Sequence, residues 1–316
     1  MGRIELTLLR WFVGGLCLVQ GFGGCPAWGQ TSGALLRAEA LCAESRWAEA
    51  RTLLVQATTG PSMQDPHAWY LLGFVDKELY KGSEVGLPDA PARAAALGAF
   101  ERARSLGVSQ ADRASLESAM DYLGRSYLDD AYARVRGFRA GQDGEVEALF
   151  GRYRAVAQSL DARADLTDEE ADLRLHLGQA NALLLEALAA TEVGTPAATL
   201  LLDRAVEHYS KALRLRPGDY RAEYNRAIVI YNLGVRQLKR IDPATSLFDL
   251  MEIQDACVTL FERALVPMQA AHALQPERLE TLKGLMTVHR ALSQMEESER
   301  FRLELERVIR TRGGRG

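Results

Sequence analysis

Apolar residues recur along this chain at helical spacing, in segments separated by short polar turns. The stretch AVEHYSKALRLRPGDYRAEYNRAIVIYNLG, residues 205–234, contains two such segments joined by Pro217-Gly218-Asp219. Alternating Val/Ile/Thr-rich runs, which would indicate strands, are nearly absent. The pattern predicts an all-α fold of twelve helices in six antiparallel pairs. The predicted helices lie near residues 34–44, 46–58, 66–80, 91–106, 111–137, 143–160, 167–192, 197–215, 218–240, 248–274, 277–292 and 295–310.

A spacing of four, three and five residues that ends on proline marks the second helix of a pair. It occurs at Ala205, Tyr209, Ala212 and Pro217 and again at Ala264, Met268, Ala271 and Pro276, and its first two steps occur at Ala50, Leu54 and Ala57 and at Ala96, Phe100 and Ala103. The first helices instead carry a small residue at Gly73, Gly124 and Gly178 and, in a weaker match, at Ala227. We interpret the small residue as a point of close approach, where the large residue of the second helix fills the adjacent gap.

With these marks the chain resembles the tetratricopeptide repeat family from about residue 34 to about residue 309. The resemblance implies an α-solenoid of about six antiparallel helix pairs. It also implies that the first helix of each pair lines a concave face, where extended peptides or partner helices dock. The chain is similar in particular to exported bacterial tetratricopeptide proteins with elongated helical hairpins.

The elongation is indicated by the distance between the small residues of a pair. Ala38 and Ala50 are 12 residues apart, whereas Gly73 and Ala96 are 23, Gly178 and Ala205 are 27, and Ala227 and Ala264 are 37 residues apart. The extra residues fall between the two helices of a pair. We therefore expect some pairs to extend into long helical hairpins rather than to carry long loops.

Residues 1–29 have the features of a secretory signal peptide. Two arginines precede the short apolar run WFVGGLCLVQGFGG, and Ala27 and Gly29 are the small residues of a cleavage point before Gln30. A buried first helix and a lipoprotein anchored at Cys25 are the alternatives. We expect export to the periplasm or outer envelope, with no transmembrane span after cleavage.

The remainder, residues 30–310, is predicted to form one repeat domain, followed by a flexible basic tail over residues 311–316. The stretch SLDARADLTDEEAD is the one polar interruption of the helical pattern. It indicates either a bend near residues 160–168 or an ordinary turn, in which Thr167 and Glu170 form a capping box.

Composition and motifs give little indication of nucleic-acid binding, metal binding or catalysis. The net charge of −4 gives no general attraction to nucleic acid, and the arginines of the tail would bind it only weakly. The five histidines lie in separate helices without metal-ligand spacing, and no nucleophile elbow or phosphate-binding loop is present. We predict no cofactor, no metal and no enzymatic activity. Cys42 and Cys257 are expected to be buried free thiols.

The candidate site is therefore a surface. Aromatic residues beside Arg, Lys and Asn on three predicted first helices have the composition of an interaction surface, although some of them fit the core between stacked pairs equally well. These residues are Tyr70, Phe74, Lys77, Arg221, Tyr224, Asn225, Ile228, Lys283 and Arg290. The sequence predicts a protein-interaction scaffold or adaptor of the bacterial envelope that binds a peptide or helix. The alternative is an auxiliary subunit of an envelope enzyme or transport complex that presents a peptide or glycan substrate.

Overall fold

The computed structural model describes residues 29–87 and 89–313, and within them the fold is entirely helical. The predicted signal peptide up to residue 28, Cys25 and the last three residues of the predicted tail lie outside the described residues. The α-helices are α1 (Gly29–Ala43), α2 (Trp47–Thr58), α3 (Pro66–Leu79), α4 (Pro91–Leu106), α5 (Gln110–Arg136), α6 (Asp143–Leu160), α7 (Thr167–Ala187), α8 (Pro196–Leu215), α9 (Tyr220–Leu238), α10 (Leu247–Leu274), α11 (Leu279–Ala291) and α12 (Met295–Gly313). None of the described helices combines the length and the apolar character that crossing a bilayer requires.

These bounds confirm the predicted helices to within a few residues, with three differences. Helix α1 begins at Gly29 rather than near residue 34. Helix α7 ends at Ala187 rather than near residue 192, because the chain turns extended at Leu188, where ψ is 145°. Helix α12 continues to Gly313, although residues 311–313 were expected to belong to a flexible tail. The Arg312 guanidinium donates to the carbonyl oxygen of Glu277 at 2.8 Å, which ties the last turn of α12 to the turn before α11.

The chain forms two compact units, one up to Leu116 and one from Glu117, so the boundary falls within α5. The expected bend near residues 160–168 lies inside the second unit and stays a prediction. The capping box expected there is wrong. Thr167 is already helical, its N–H donates to the Asp165 carboxylate at 3.0 Å, and the Glu170 carboxylate pairs instead with Arg154 and Arg174.

In the first unit, α1 to α4 pack in chain order, and α3 and α4 meet closely at Gly73. A Cβ atom on Gly73 would lie 2.7 Å from the ring of Phe100. Phe100 is fully buried, as are Ala96 and Ala103 on the same face of α4. The small residue of the first helix thus receives the large residue of the second, as the spacing predicted.

The second unit repeats this contact. A Cβ atom would lie 2.7 Å from the Tyr209 ring if it were added to Gly178, and 2.9 Å from Val156 if it were added to Gly124. Consecutive helices from α7 to α12 pack against each other, and the alternate helices α7, α9 and α11 also touch. Stacked antiparallel pairs joined at a small residue confirm the predicted all-α, tetratricopeptide-like solenoid class.

Two insertions take different structures. In the pair of α9 and α10, Ala264 follows 17 residues of its own helix, whereas Ala50 follows only three residues of α2. This pair is an extended hairpin, with an additional close contact between Gly234 and the Phe261 ring. The insertion after α3 instead forms a π-helical turn, Tyr80–Glu84, followed by a loop, which agrees with the predicted helix bounds of 66–80 and 91–106.

Candidate functional site

The predicted residues of α3 lie mostly in the packing of the first unit. Tyr70 is buried between His67 and Phe100, with ring centroids 6.0 and 6.2 Å away, so it belongs to the core and not to an accessible surface. Phe74 is half-buried with its ring edge-on to Trp47. The ammonium of Lys77 lies 4.5 Å from the centroid of the Phe74 ring. Only part of this predicted stripe is available to a partner.

The predicted residues of α9 divide between packing and surface. Tyr224 stacks on Tyr220 at 5.7 Å, and Tyr224 and Ile228 are half-buried against the core cluster of Ala227 and Met268. Burial raises the pKa of the Tyr224 hydroxyl, and the neighbouring Tyr220 adds to the effect, so this phenol stays protonated at neutral pH. Tyr224 is therefore partly a core residue.

Lys283 and Arg290 are exposed, but they lie on the side of α11 opposite its buried residues. Helices α9 and α11 meet at a different position on α11, where the Tyr220 hydroxyl lies 2.6 Å from the hydroxyl of the buried Thr281. The structure therefore does not bring Lys283 and Arg290 into one group with Arg221.

What the structure does bring together is a surface shared by α7 and α9, which we call the α7–α9 face. Arg221 Nη2 lies 3.2 Å from Asp172 Oδ1, and Asn232 Nδ2 donates to the Glu186 carboxylate at 3.2 Å, so the two helices are joined near both ends. Between these contacts, α7 and α9 each present three exposed or half-exposed side chains. The α7–α9 face consists of His176, Gln179 and Leu183 on α7 and of Arg221, Asn225 and Ile228 on α9.

The starts of both helices are fixed by a set of ion pairs. Arg216 Nη1 lies 3.0 Å from both Asp172 Oδ1 and Asp219 Oδ2, while Asp219 Oδ1 caps α9 by accepting from the N–H of Arg221 at 2.8 Å. Burial alone would raise the pKa of Asp219, but the hydrogen bonds from Arg216 and Arg221 outweigh it and lower that pKa. The Asp219 carboxylate is thus held ionised as a permanent cap.

Helix α5 contributes an aromatic edge to this surface. The ring of Tyr132 meets the ring of His176 at 5.4 Å in an edge-on arrangement. Leu183, which is 57% exposed, is the large apolar side chain of the face. Amide groups donate and accept hydrogen bonds and Arg221 donates only, so the face can pair with a peptide backbone and a carboxylate.

The described residues contain no group of three or more His, Cys, Asp or Glu that could hold a metal ion.

Comparison with known proteins gives similarity of fold only. No protein-family model matches the chain, and no curated protein matches it. Similar solved structures include YrrB, a tetratricopeptide protein with an unusual peptide-binding site, at 16% identity, a TM-score of 0.23 and coverage of 79% of this chain and 89% of YrrB. The TPR2AB domain of yeast Sti1 in complex with pHsp90 is 14% identical, with a TM-score of 0.29 and coverage of 88% and 90%. The P58(IPK) tetratricopeptide domain is 11% identical, with a TM-score of 0.21 and coverage of 89% and 98%. At these values none of the three indicates a ligand for this chain.

A second polar cluster is partly buried and links α6, α7 and α8. Asp143 Oδ1 lies 2.8 Å from Asn181 Nδ2 and 2.9 Å from His208 Nε2, and Asp143 Oδ2 accepts from Arg204 at 3.1 Å. Asn181 and His208 are both buried. Burial by itself would raise the pKa of Asp143, but the hydrogen bonds from His208 and Asn181 lower it to about 2. This carboxylate of α6 is the acceptor that α7 and α8 share.

Sequence reasoning missed the α7 half of the α7–α9 face, although a signal was present. His176 and Gln179 stand at the same offsets from Gly178 as Asn225 and Ile228 do from Ala227. Equal offsets from the close-approach residue place side chains on the same face of successive first helices. Reading every first helix from its small residue would have found them.

Proposed function

We propose that this chain is a non-catalytic scaffold or adaptor that binds a peptide or helix of a partner protein on the α7–α9 face. The observation that carries the proposal is the matched pair of first helices. Two adjacent helices present accessible side chains at the same offsets, joined by the contacts of Arg221 with Asp172 and of Asn232 with Glu186. A surface held by such contacts loses little conformational entropy on binding.

The side chains of this face suit an extended peptide. Gln179 and Asn225 carry amides that pair with backbone N–H and C=O groups, while Leu183 and Ile228 offer apolar contacts along the same direction. Arg221 supplies a guanidinium for a carboxylate of the partner. Because the face is rich in amides, a glycan ligand is the alternative, and it corresponds to a subunit that presents a substrate.

The binding prediction compares two leucines of nearly equal exposure. Leu183 lies on the α7–α9 face and is 57% exposed, whereas Leu200 lies on the second helix α8 and is 52% exposed. Peptides selected from a displayed library of short random sequences should bind the wild type. The double change Leu183→Ser, Asn225→Ala should weaken their dissociation constants about tenfold or more. Isothermal titration calorimetry measures the change.

Leu200→Ser is the matched control and should leave the affinity unchanged. Both variants should keep the helix content and the melting temperature of the wild type, because the changed side chains are exposed or, at Asn225, half-exposed. Equal weakening by both variants, or full binding by the double variant, would show that the face is not the site. Selective binding on a glycan array in place of peptides would favour the substrate-presenting alternative.

We also propose that the protein acts in the bacterial cell envelope, after export directed by residues 1–29. The prediction is that the mature protein begins at Gln30. N-terminal sequencing or intact mass measurement of protein purified from the producing cells tests where the mature chain begins. An intact Met1 in the folded protein would contradict export, and a diacylated Cys25 would replace signal cleavage with lipoprotein anchoring.

A further inference from the structure

The outward face of α10 carries the most exposed apolar side chains of the described structure. Leu247 is 74% exposed, Phe248 is 69% exposed and Val266 is 67% exposed, and Met251 and Val258 lie on the same helix at 58% and 43%. Such side chains are normal when scattered singly over a surface, but their concentration on one helix marks an interaction site.

These apolar residues face away from the packed side of α10. The buried residues of the helix begin with Cys257 and continue through Phe261, Ala264 and Met268. By helical periodicity Phe248 and Val266 lie on the opposite side from them. From Leu247 to Ala256 no residue is buried. The first turns of the long hairpin helix therefore present apolar surface that the described fold does not cover.

The charges on this part of α10 have a single sign. Every charged residue between positions 247 and 262 is acidic, namely Asp249, Glu252, Asp255 and Glu262. The Asp249 carboxylate already has a hydrogen-bond partner at the start of the helix, because it accepts from the Ser246 hydroxyl at 2.7 Å. The first basic residue is Arg263, and it pairs with Asp203 of α8 at 3.0 Å. Glu252, Asp255 and Glu262 remain among the exposed apolar residues.

We propose that this face of α10 binds an amphipathic helix of another protein that carries Lys or Arg beside its apolar stripe. Apolar side chains of the partner would cover Phe248 and Met251, and its basic side chains would meet Glu252 and Asp255. A second copy of the chain would bring like charges together across a symmetric interface, and an anionic membrane surface would be repelled. The charge pattern therefore selects a basic partner helix.

The test uses a synthetic helix with leucine on one face and lysine on the other, and a matched peptide with glutamate in place of lysine. The wild-type protein should bind the lysine peptide and not the glutamate peptide. The apolar change Phe248→Ser, Met251→Ser should weaken binding about tenfold or more. The charge change Glu252→Lys, Asp255→Lys should also weaken binding of the lysine peptide about tenfold or more, and it should raise the affinity for the glutamate peptide.

A control variant reverses two exposed carboxylates elsewhere, Glu101→Lys and Glu117→Lys, and should bind the lysine peptide as the wild type does. Equal binding by all variants would overturn the proposal. Binding to anionic vesicles, or a dimer in sedimentation that Phe248→Ser abolishes, would assign the face to a membrane or to a second copy and overturn it as well. The Leu183→Ser, Asn225→Ala variant should leave this binding unchanged, so failure here is distinguishable from failure of the α7–α9 face.

Discussion

Replacement of Asp143 by alanine should destabilise the second unit by about 3 kcal/mol, because the buried side chains of Asn181 and His208 lose the charged acceptor that they share. The Asp143 carboxylate accepts from Asn181, His208 and Arg204, which come from two other helices. Without it, Asn181 and His208 stay buried and lose their shared acceptor, whereas the partly exposed Arg204 can turn to water. The measurement is chemical denaturation followed by far-ultraviolet circular dichroism, because all described tryptophans lie in the first unit.

Two variants control this prediction. Asp203→Ala removes an ion pair with Arg263 whose partners are 54% and 42% exposed, and such pairs contribute at most about 1 kcal/mol. Asp143→Asn keeps the size of the side chain and one acceptor oxygen, and should fall between alanine and the wild type. If Asp143→Ala costs no more than Asp203→Ala, the cluster does not hold the three helices together.

The same cluster predicts a dependence on pH. The pKa of Asp143 in the folded protein is lowered from 3.8 to about 2. The carboxylate therefore contributes stability that is present above its unfolded pKa and is lost as the pH falls through its folded pKa. The difference in unfolding free energy between the wild type and Asp143→Ala should shrink as the pH is lowered from about 5 towards 2. A difference that stays constant over this range would contradict the role of the ionised carboxylate.

Replacement of Gly178 by leucine should lower the free energy of unfolding by about 1–3 kcal/mol through overpacking. A Cβ atom at this position would already lie 2.7 Å from the Tyr209 ring. That ring cannot move aside easily, because Tyr209 is 2% exposed and packs among Ala205, Ala212 and other core residues of the second unit. Thermal and chemical denaturation both measure the loss.

Gly151→Leu is the matched control, because a Cβ atom at Gly151 would meet nothing within 4 Å. Gly151 lies in the interior of α6, where leucine should stabilise the helix by about 0.8 kcal/mol relative to glycine. The two substitutions should therefore change stability in opposite directions. Equal effects would mean that Gly178 is not a point of close approach.

The fold could be predicted well because its signals are local. Gly73 and Gly178 mark the points of close approach, and Phe100 and Tyr209 each stand four residues after one alanine and three residues before the next. The hairpin of α9 and α10 was predictable as well, since the long insertion has one short turn segment around Pro243 and a helical pattern on both sides of it. The end of α7 was not predicted. The extended turn that follows the helix lies in a stretch of ordinary helix formers that continues as far as Gly194.

The candidate site was less predictable because exposure depends on the neighbouring pair. Tyr70 and Arg221 stand at first-helix positions, yet Tyr70 is covered by packing and Arg221 is 60% exposed. The Asp143 cluster was missed for another reason. Asp143 and His208 are 65 residues apart and share no motif, so only the packing of α6 against α8 reveals their contact.

The central proposal is that the peptide or helix of the partner binds on the first helices α7 and α9 and not on the second helix α8 of the pair that α7 begins. A photo-crosslinking amino acid at Gln179 of α7 or, in a separate variant, at Leu200 of α8 tests this in the producing cells. The account predicts that Gln179 yields a defined crosslinked protein and that Leu200 does not. Crosslinking of the same protein at both positions, or at Leu200 alone, would contradict it.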